Sequence, residues 1–184
     1  MQDFSTWPVT GLVAPLWLRS VFGVPVLVPD PHRLVHLQLR RFAGCPVCSL
    51  HLRSMARRHH EIATAGIAEV VVFASALGDL LPYAADLPFP LIADPTRALY
   101  RRFGLERSAR AVLDPRAWAA ALRGLGSARL PGRLPTDLLG LPGDLLIAPD
   151  GAVLAVHQGR HADDQWSVDD LLALAAASPS RQTR

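Results

Sequence analysis

The stretch RLVHLQLRRFAGCPVC, residues 33–48, joins an alternating apolar segment to a pair of closely spaced cysteines. Residues 33–39 alternate apolar and polar side chains, which is typical of a half-buried β-strand. From Cys48 to Ala65 apolar side chains recur at helical spacing, and Pro46 suits the first position of a helix, where its missing N–H needs no partner. The segment therefore predicts a strand that leads into a helix, with the C-x-x-C motif at the junction.

The position of the motif determines the chemistry that we expect from it. Cys45 lies where the helix begins, so unpaired backbone N–H groups and the helix dipole favour its thiolate over its thiol. Cys48 follows about one turn later, close enough to form a disulfide with Cys45. These are the two cysteines of the chain. Such a pair is typical of a redox-active dithiol, with Cys45 as the nucleophile and Cys48 as the resolving thiol.

Two other interpretations of the cysteines stay open, namely an inert buried pair and a zinc site. Cys45, Cys48 and His51 recur at intervals of three, and His59 or His60 would have to supply a fourth ligand. His59 lies two helical turns further on, and a second paired ligand set, which structural zinc sites prefer, is missing. We therefore predict no metal. We also predict no cofactor, because the sequence shows no glycine-rich flavin or nicotinamide fingerprint.

Composition limits the remaining classes of function. The chain has 184 residues, half of them apolar, which suffices for one domain with its own core. Its apolar stretches are shorter than the ~20 residues that a membrane span needs, and without a signal-like N-terminus we expect a cytoplasmic protein. The basic residues are all arginines, scattered among acidic ones, with a net charge of +3. This pattern lacks the dense basic stripe with interleaved aromatics that nucleic-acid binding requires.

Strands and helices alternate along the rest of the chain. The predicted strands and helices are, in order, a strand at 25–28, the strand and helix around the motif, a strand at 69–74, a helix at 79–86, a strand at 90–93, a helix opened by Asp94, a hairpin at 145–157 and a helix at 171–177 capped by Ser167. Residues 105–141, rich in Arg, Gly and Pro, are predicted to be an insertion with one helix around 115–123. The tail 178–184 is predicted to be flexible. This order predicts an α/β fold with a central mixed β-sheet flanked by helices.

Four segments carry a family resemblance, and they lie at 40–48, 88–95, 99–104 and 145–151. They resemble peroxiredoxin-like proteins of the alkyl hydroperoxide reductase/thiol-specific antioxidant superfamily, over roughly residues 20–175. The resemblance implies a thioredoxin-like fold as a single domain over 1–184, and thiol-based reduction of peroxide or disulfide substrates. Electrons would come from an external thiol reductant of thioredoxin or glutathione type. The oligomeric state stays open between a monomer and a homodimer.

The neighbours of the dithiol depart from the peroxiredoxin pattern. Phe42 and Gln38 stand where ordinary peroxiredoxins have a threonine and a proline. Pro142 stands where they bring an arginine, and it matches the cis-proline that faces the dithiol in thioredoxins. Of Arg40 and Arg41, we expect one to support the thiolate, as Arg41 is placed to do, and at least one to be a solvated charge. These residues bring the site nearer to thioredoxin than to a peroxidase. A redox-responsive or zinc-binding interaction module without turnover is the alternative.

For three histidines outside the motif, the surrounding sequence indicates no specific chemical role. His36 lies on the strand before the dithiol, and we interpret it as a packed or edge histidine rather than a catalytic base. His157 and His161 follow the predicted hairpin four residues apart. We expect them to be exposed loop histidines, with a proton-transfer or metal pair as the alternative.

Overall fold

The computed structural model describes residues 11–104 and 140–178. The predicted insertion, with its helix around 115–123, therefore lies almost entirely outside the described residues, as does the tail after Ser178. Ser178 itself was expected to begin the flexible tail, but it is buried, and its hydroxyl donates to the Leu174 carbonyl at 2.9 Å. The final helix is thus fixed at its end by a side chain assigned to the tail.

A five-stranded mixed sheet forms the centre of the molecule. Its strands are β3 (Leu34–Arg40), β4 (Ile67–Phe73), β5 (Leu91–Ala93), β6 (Gly143–Ile147) and β7 (Val153–Gln158), in the spatial order β5-β4-β3-β6-β7. β3, β4 and β5 run parallel to one another, whereas β6 is antiparallel to both β3 and β7. The prediction of an α/β fold with a central mixed sheet is confirmed.

Five helices flank the sheet within the described residues. They are α1 (Pro46–Arg57), α2 (His59–Thr64), α3 (Leu77–Ala84), α4 (Ala98–Arg102) and α5 (Val168–Ala177). The expectation of one continuous helix from Cys48 to Ala65 is wrong, because Arg58, at φ −108° and ψ 17°, separates α1 from α2. The Arg58 guanidinium binds Glu61 and Asp169, each at 2.7 Å. The residue at the break thus also contacts α5, which lies far away in the sequence.

A small hairpin precedes the sheet. It consists of β1 (Leu16–Arg19) and β2 (Pro25–Val28), paired antiparallel. The strand at 25–28 was predicted, whereas β1 was not. None of the helices in the described residues has the length and apolar character that crossing a bilayer requires.

The central strand β3 is buried along its whole length, so the prediction of a half-buried strand is wrong. Val35, Leu37 and Leu39 pack into an apolar cluster that includes Tyr100 of α4. The alternate positions His36, Gln38 and Arg40 point to the opposite face, which α1 covers, and all three are 0% exposed. The polar half of the alternation therefore lies inside the protein, next to the dithiol helix.

Candidate active site

The two cysteines lie in the first turn of α1, as the sequence predicts. Cys45 occupies the N-cap position and Pro46 begins the helix. The backbone N–H of Cys48 donates to the Cys45 Sγ at 3.4 Å, which brings both thiols together at the positive end of the helix. Both are free thiols, and each residue is only 1% exposed.

The loop that delivers Cys45 to the helix is held by specific hydrogen bonds. The Cys45 N–H donates to the Phe42 carbonyl at 3.2 Å, and the Ala43 N–H donates to Ser75 Oγ, just after β4, at 2.9 Å. Gly44 has a φ of +76°, a left-handed conformation that glycine adopts without steric cost. The dithiol is therefore presented by a short, well-anchored turn between β3 and α1.

The two thiols affect each other's ionisation. The hydrogen bond between them, assisted by the Arg41 charge, lowers the pKa of Cys48 to about 7 despite burial. The same hydrogen bond, together with burial, raises the pKa of Cys45. The pair therefore holds a thiolate near neutral pH, and the backbone N–H donated to Cys45 Sγ also stabilises charge on that sulfur. The assignment of Cys45 as nucleophile and Cys48 as resolving thiol stays a prediction.

Both arginines that precede the motif are buried, so the expectation that at least one is a solvated charge is wrong. Arg40 is 0% and Arg41 8% exposed. The Arg41 guanidinium lies 5.3 Å from the centroid of the Phe42 ring, a cation–π contact. Arg40 turns inward because the interior supplies it with the carboxylate of Asp144.

The Arg40 guanidinium is the centre of a buried polar cluster. It donates to Asp144 Oδ1 at 2.6 Å, to Gln38 Oε1 at 2.7 Å and to His51 Nε2 at 3.0 Å. Because a guanidinium has no acceptor, His51 Nε2 must accept this bond, so the neutral ring carries its proton on Nδ1. Burial and the Arg40 charge lower the pKa of His51 well below its ordinary value.

Two carboxylates connect this cluster to further histidines. Asp144 also binds His36 Nε2 at 3.0 Å. Burial by itself would raise the pKa of Asp144, but Arg40 and His36 hold it well below the ordinary value. On the other side of Arg40, Gln38 donates to Glu69 at 3.1 Å, and Glu69 binds the half-buried His59 at 2.9 Å. His36 is a packed histidine of the central strand, so of the two alternatives the edge position is wrong.

Sequence reasoning named several of these residues but missed that they form a cluster. One usable signal was the series of polar side chains His36, Gln38 and Arg40 on β3. The next strand along the chain, β4, contains a continuous apolar run typical of a buried strand, so polar side chains beside it are expected to bind partners inside the protein. Another was Asp144, a lone carboxylate directly before the apolar run 145–148. Neither signal identifies which polar groups pair, because that depends on strand order.

Pro142 lies at the dithiol end of the sheet, but the match to a cis-proline is wrong. The bond between Leu141 and Pro142 is trans, and the cis bond found among the described residues is Val28–Pro29. Pro142 directly precedes Gly143, the residue that pairs with Leu39 near the end of β3. Its role beside the dithiol stays a prediction.

The histidines considered as zinc ligands are used elsewhere. His51 accepts from Arg40, and His59 binds Glu69. In the part of the chain that the structure describes, no three His, Cys, Asp or Glu side chains converge as metal ligands do. His157 is not an exposed loop histidine, since it lies half-buried in β7 and binds the Asp164 carboxylate at 3.1 Å.

A cavity of about 310 Å³ adjoins the dithiol turn. Ala43 and Gly44 of the loop line it on one side, Ser49 and Leu52 of α1 form a second wall, and α3 contributes Tyr83. Most of the wall is apolar. The cavity therefore reaches the loop just before Cys45, but neither cysteine is part of its wall.

Residues 54–161 match the family model described as AhpC/TSA antioxidant enzyme. The chain belongs to this family. The resemblance inferred from the four segments is confirmed, and with it the peroxiredoxin-like class of thiol-dependent oxidoreductases. The matched region begins after Cys48, so membership by itself leaves the role of the dithiol open.

Solved structures of the same fold come from peroxiredoxins and from a disulfide-exchange protein. Peroxidoxin BcpB from Mycobacterium tuberculosis is 18% identical, with a TM-score of 0.65 and coverage of 95% of this chain and 97% of its own. The reduced 2-Cys peroxiredoxin of Plasmodium vivax is 12% identical, with a TM-score of 0.69 and coverage of 97% and 100%. A putative thiol:disulfide interchange protein DsbE from Chlorobium tepidum is 20% identical, with a TM-score of 0.57 and coverage of 89% and 95%. These likenesses confirm the thioredoxin-like fold. Comparison with curated proteins finds no match.

Proposed function

We propose that this protein reduces peroxide or disulfide substrates by cycling Cys45 and Cys48 between dithiol and disulfide. The proposal rests chiefly on the hydrogen bond from the Cys48 N–H to Cys45 Sγ at 3.4 Å. It gives the Cys45 sulfur a donor at the helix N-terminus, with the second free thiol, whose pKa is lowered to about 7, in the same turn. Membership of an antioxidant enzyme family supports the same chemistry.

With a peroxide, Cys45 first passes its proton to the Cys48 thiolate, and the Cys45 thiolate so formed attacks one oxygen of the O–O bond. That bond breaks, an alcohol or water leaves after taking up a proton, and Cys45 becomes a sulfenic acid. The Cys48 sulfur then attacks the Cys45 sulfur, forming the disulfide and releasing water. An external thiol reductant returns two electrons and two protons to regenerate the dithiol.

With a disulfide substrate, the Cys45 thiolate attacks one sulfur and forms a mixed disulfide. Cys48 then attacks Cys45, which releases the reduced substrate and leaves the internal disulfide. Phe42 favours this second route, because it places an aromatic ring where ordinary peroxiredoxins have a hydroxyl. The fold shared with a protein named as a thiol:disulfide interchange protein is compatible with it.

The first experiment measures how fast the fully reduced protein loses its two thiols in excess hydrogen peroxide. Loss far faster than for free cysteine, ending in an intramolecular disulfide, supports peroxide as the substrate. Loss no faster than for free cysteine excludes it. The same rate measured with a small disulfide then tests the exchange reaction, and two slow rates would refute the proposed function.

Two single variants test the roles of the cysteines. We expect Cys45→Ser to abolish the fast reaction. Cys48→Ser should keep one attack and accumulate a sulfenic acid or a mixed disulfide, visible by mass spectrometry. The opposite pattern would exchange the two roles. Repeated turnover with a thioredoxin-type reductant separates this enzyme from a binding module that oxidises once, and metal analysis tests the zinc-binding alternative.

A further inference from the structure

Behind the dithiol lies a positive charge that the reaction described above does not use. The Arg40 side chain is completely buried, although a buried cation is costly unless it is paired. Its partners come from three different strands and helices, namely Gln38 on its own strand β3, Asp144 on β6 and His51 on α1. Such a site suits the planar fork of arginine, which reaches several acceptors at once.

The contact with His51 connects Arg40 to the cysteine helix. His51 lies three residues after Cys48 and therefore on the same side of α1, one turn further along. The bond of 3.0 Å from Arg40 to His51 Nε2 ties this side of α1 to the sheet. The Arg40 backbone is held as well, since its carbonyl accepts the hydroxyl of the buried Tyr100. Arg40 is thus fixed at both its backbone and its side chain.

The charges near the dithiol come from several directions. Arg41 of the loop and Arg40 of β3 are cations, and Asp144 of β6 compensates Arg40. His51 on α1 is neutral, and burial raises the pKa of Tyr100 on α4, so that it is neutral as well. The net field at the sulfurs therefore combines the charge of Arg41 with the balance between Arg40 and Asp144, and Arg40 acts on Cys48.

We propose that Arg40 is a positioning residue for the dithiol. Asp144 and His51 hold its guanidinium, so that Arg40 seats α1 on the sheet and stabilises negative charge on Cys48, the partner of the nucleophile. This inference rests on the proposed function of Cys45 and Cys48. The Arg40 charge acts on Cys48 in the expected sense, lowering the pKa of that thiol. Asp144 is then the group that limits how much positive charge the sulfurs experience.

If the charge of Arg40 acts on the dithiol, two single variants should shift the pKa of the dithiol in opposite directions. Arg40→Met leaves the Asp144 carboxylate uncompensated, so the pKa of the dithiol should rise by about one pH unit. Asp144→Asn keeps an oxygen that accepts from Arg40 but removes the negative charge, so the pKa should fall by about one pH unit. The double variant should return to within about 0.3 pH units of the wild type. The measurement is thiolate ultraviolet absorbance against pH, with a variant lacking both cysteines as the blank.

Conservative and matched variants separate charge from packing. Arg40→Lys keeps the charge and loses the fork, so its dithiol pKa should stay close to wild type although its thermal stability falls. Arg57→Met makes the same chemical change as Arg40→Met at the exposed end of α1, and it should leave the dithiol pKa unchanged. If the variants only damaged packing, the dithiol pKa would shift in the same direction in Arg40→Met and in Asp144→Asn.

The outcomes decide the proposal even if one variant does not fold. If Arg40→Met fails to fold, Asp144→Asn decides by itself, since a fall in the dithiol pKa supports the inference and no shift, or a rise, overturns it. The titration needs no peroxide, disulfide or reductant. A wild-type protein that reacts slowly with both substrates would therefore refute the proposed function independently of these shifts.

Discussion

His51 is the residue through which we expect mild acid to destabilise the fold. Its Nε2 accepts a hydrogen bond from Arg40 at 3.0 Å, and burial together with the Arg40 charge keeps its pKa well below the ordinary value. In the unfolded chain the same imidazole titrates at its ordinary pKa of about 6.5. Below that pH the unfolded state binds a proton that the folded state does not bind. His51 therefore does not reduce the free energy of unfolding above about pH 6.5, and it reduces that free energy increasingly as the pH falls below this value.

The size of the effect follows from proton linkage. A single group of this kind lowers the free energy of unfolding by about 1.4 kcal/mol for each pH unit, or about 2 kcal/mol between pH 6.5 and 5. This figure is an upper limit, because the His51 residue is only partly shielded from water. Asp144 acts in the same direction but at lower pH, since its pKa is lowered from an ordinary value near 4. The two contributions therefore fall in separate pH ranges.

Urea unfolding of the wild type and of His51→Gln at about pH 7.5 and about pH 5 tests this reasoning. The glutamine carbonyl is able to accept from Arg40 but does not titrate, so the variant should lose up to about 2 kcal/mol less than the wild type on acidification. His60→Gln, a change at an exposed position of α2, is the matched control and should follow the wild type. Equal acid losses in the wild type and His51→Gln would refute the reasoning.

Further predictions concern the dithiol, a close-packed glycine and a helix cap. The rate of thiol alkylation should rise with pH and level off above about 7, the pKa of Cys48, and a continued rise to about pH 9 would contradict that lowered pKa. Gly159→Ala should cost about 1–3 kcal/mol in urea unfolding. A Cβ at Gly159 would lie 2.4 Å from a backbone oxygen and 2.7 Å from Pro142, whereas Gly78→Ala meets nothing within 4 Å and should not destabilise. Ser167→Ala removes the capping box of α5 and should cost about 1 kcal/mol in the same assay, so an unchanged midpoint would count against that cap.

Local patterns in the sequence were sufficient for the elements that carry the cysteines. Proline at the first helical position and apolar alternation before it place the dithiol between β3 and α1, because these preferences act over a few residues. The Ser167 cap of α5 was predictable for the same reason. The break at Arg58 was not predicted, and the Arg58 side chain there pairs with Asp169 at a sequence separation of 111 residues.

The amino-acid sequence by itself determined that two thiols meet at a helix N-terminus, because that requires only short-range backbone geometry. It did not determine that Arg40 is an internal charge. Its carboxylate partner Asp144 lies 104 residues away, and His51 reaches it only because α1 covers that face of β3. A charge enters the protein interior when partners compensate its lost hydration. Only the strand order, which brings β6 beside β3, supplies that compensation behind the dithiol.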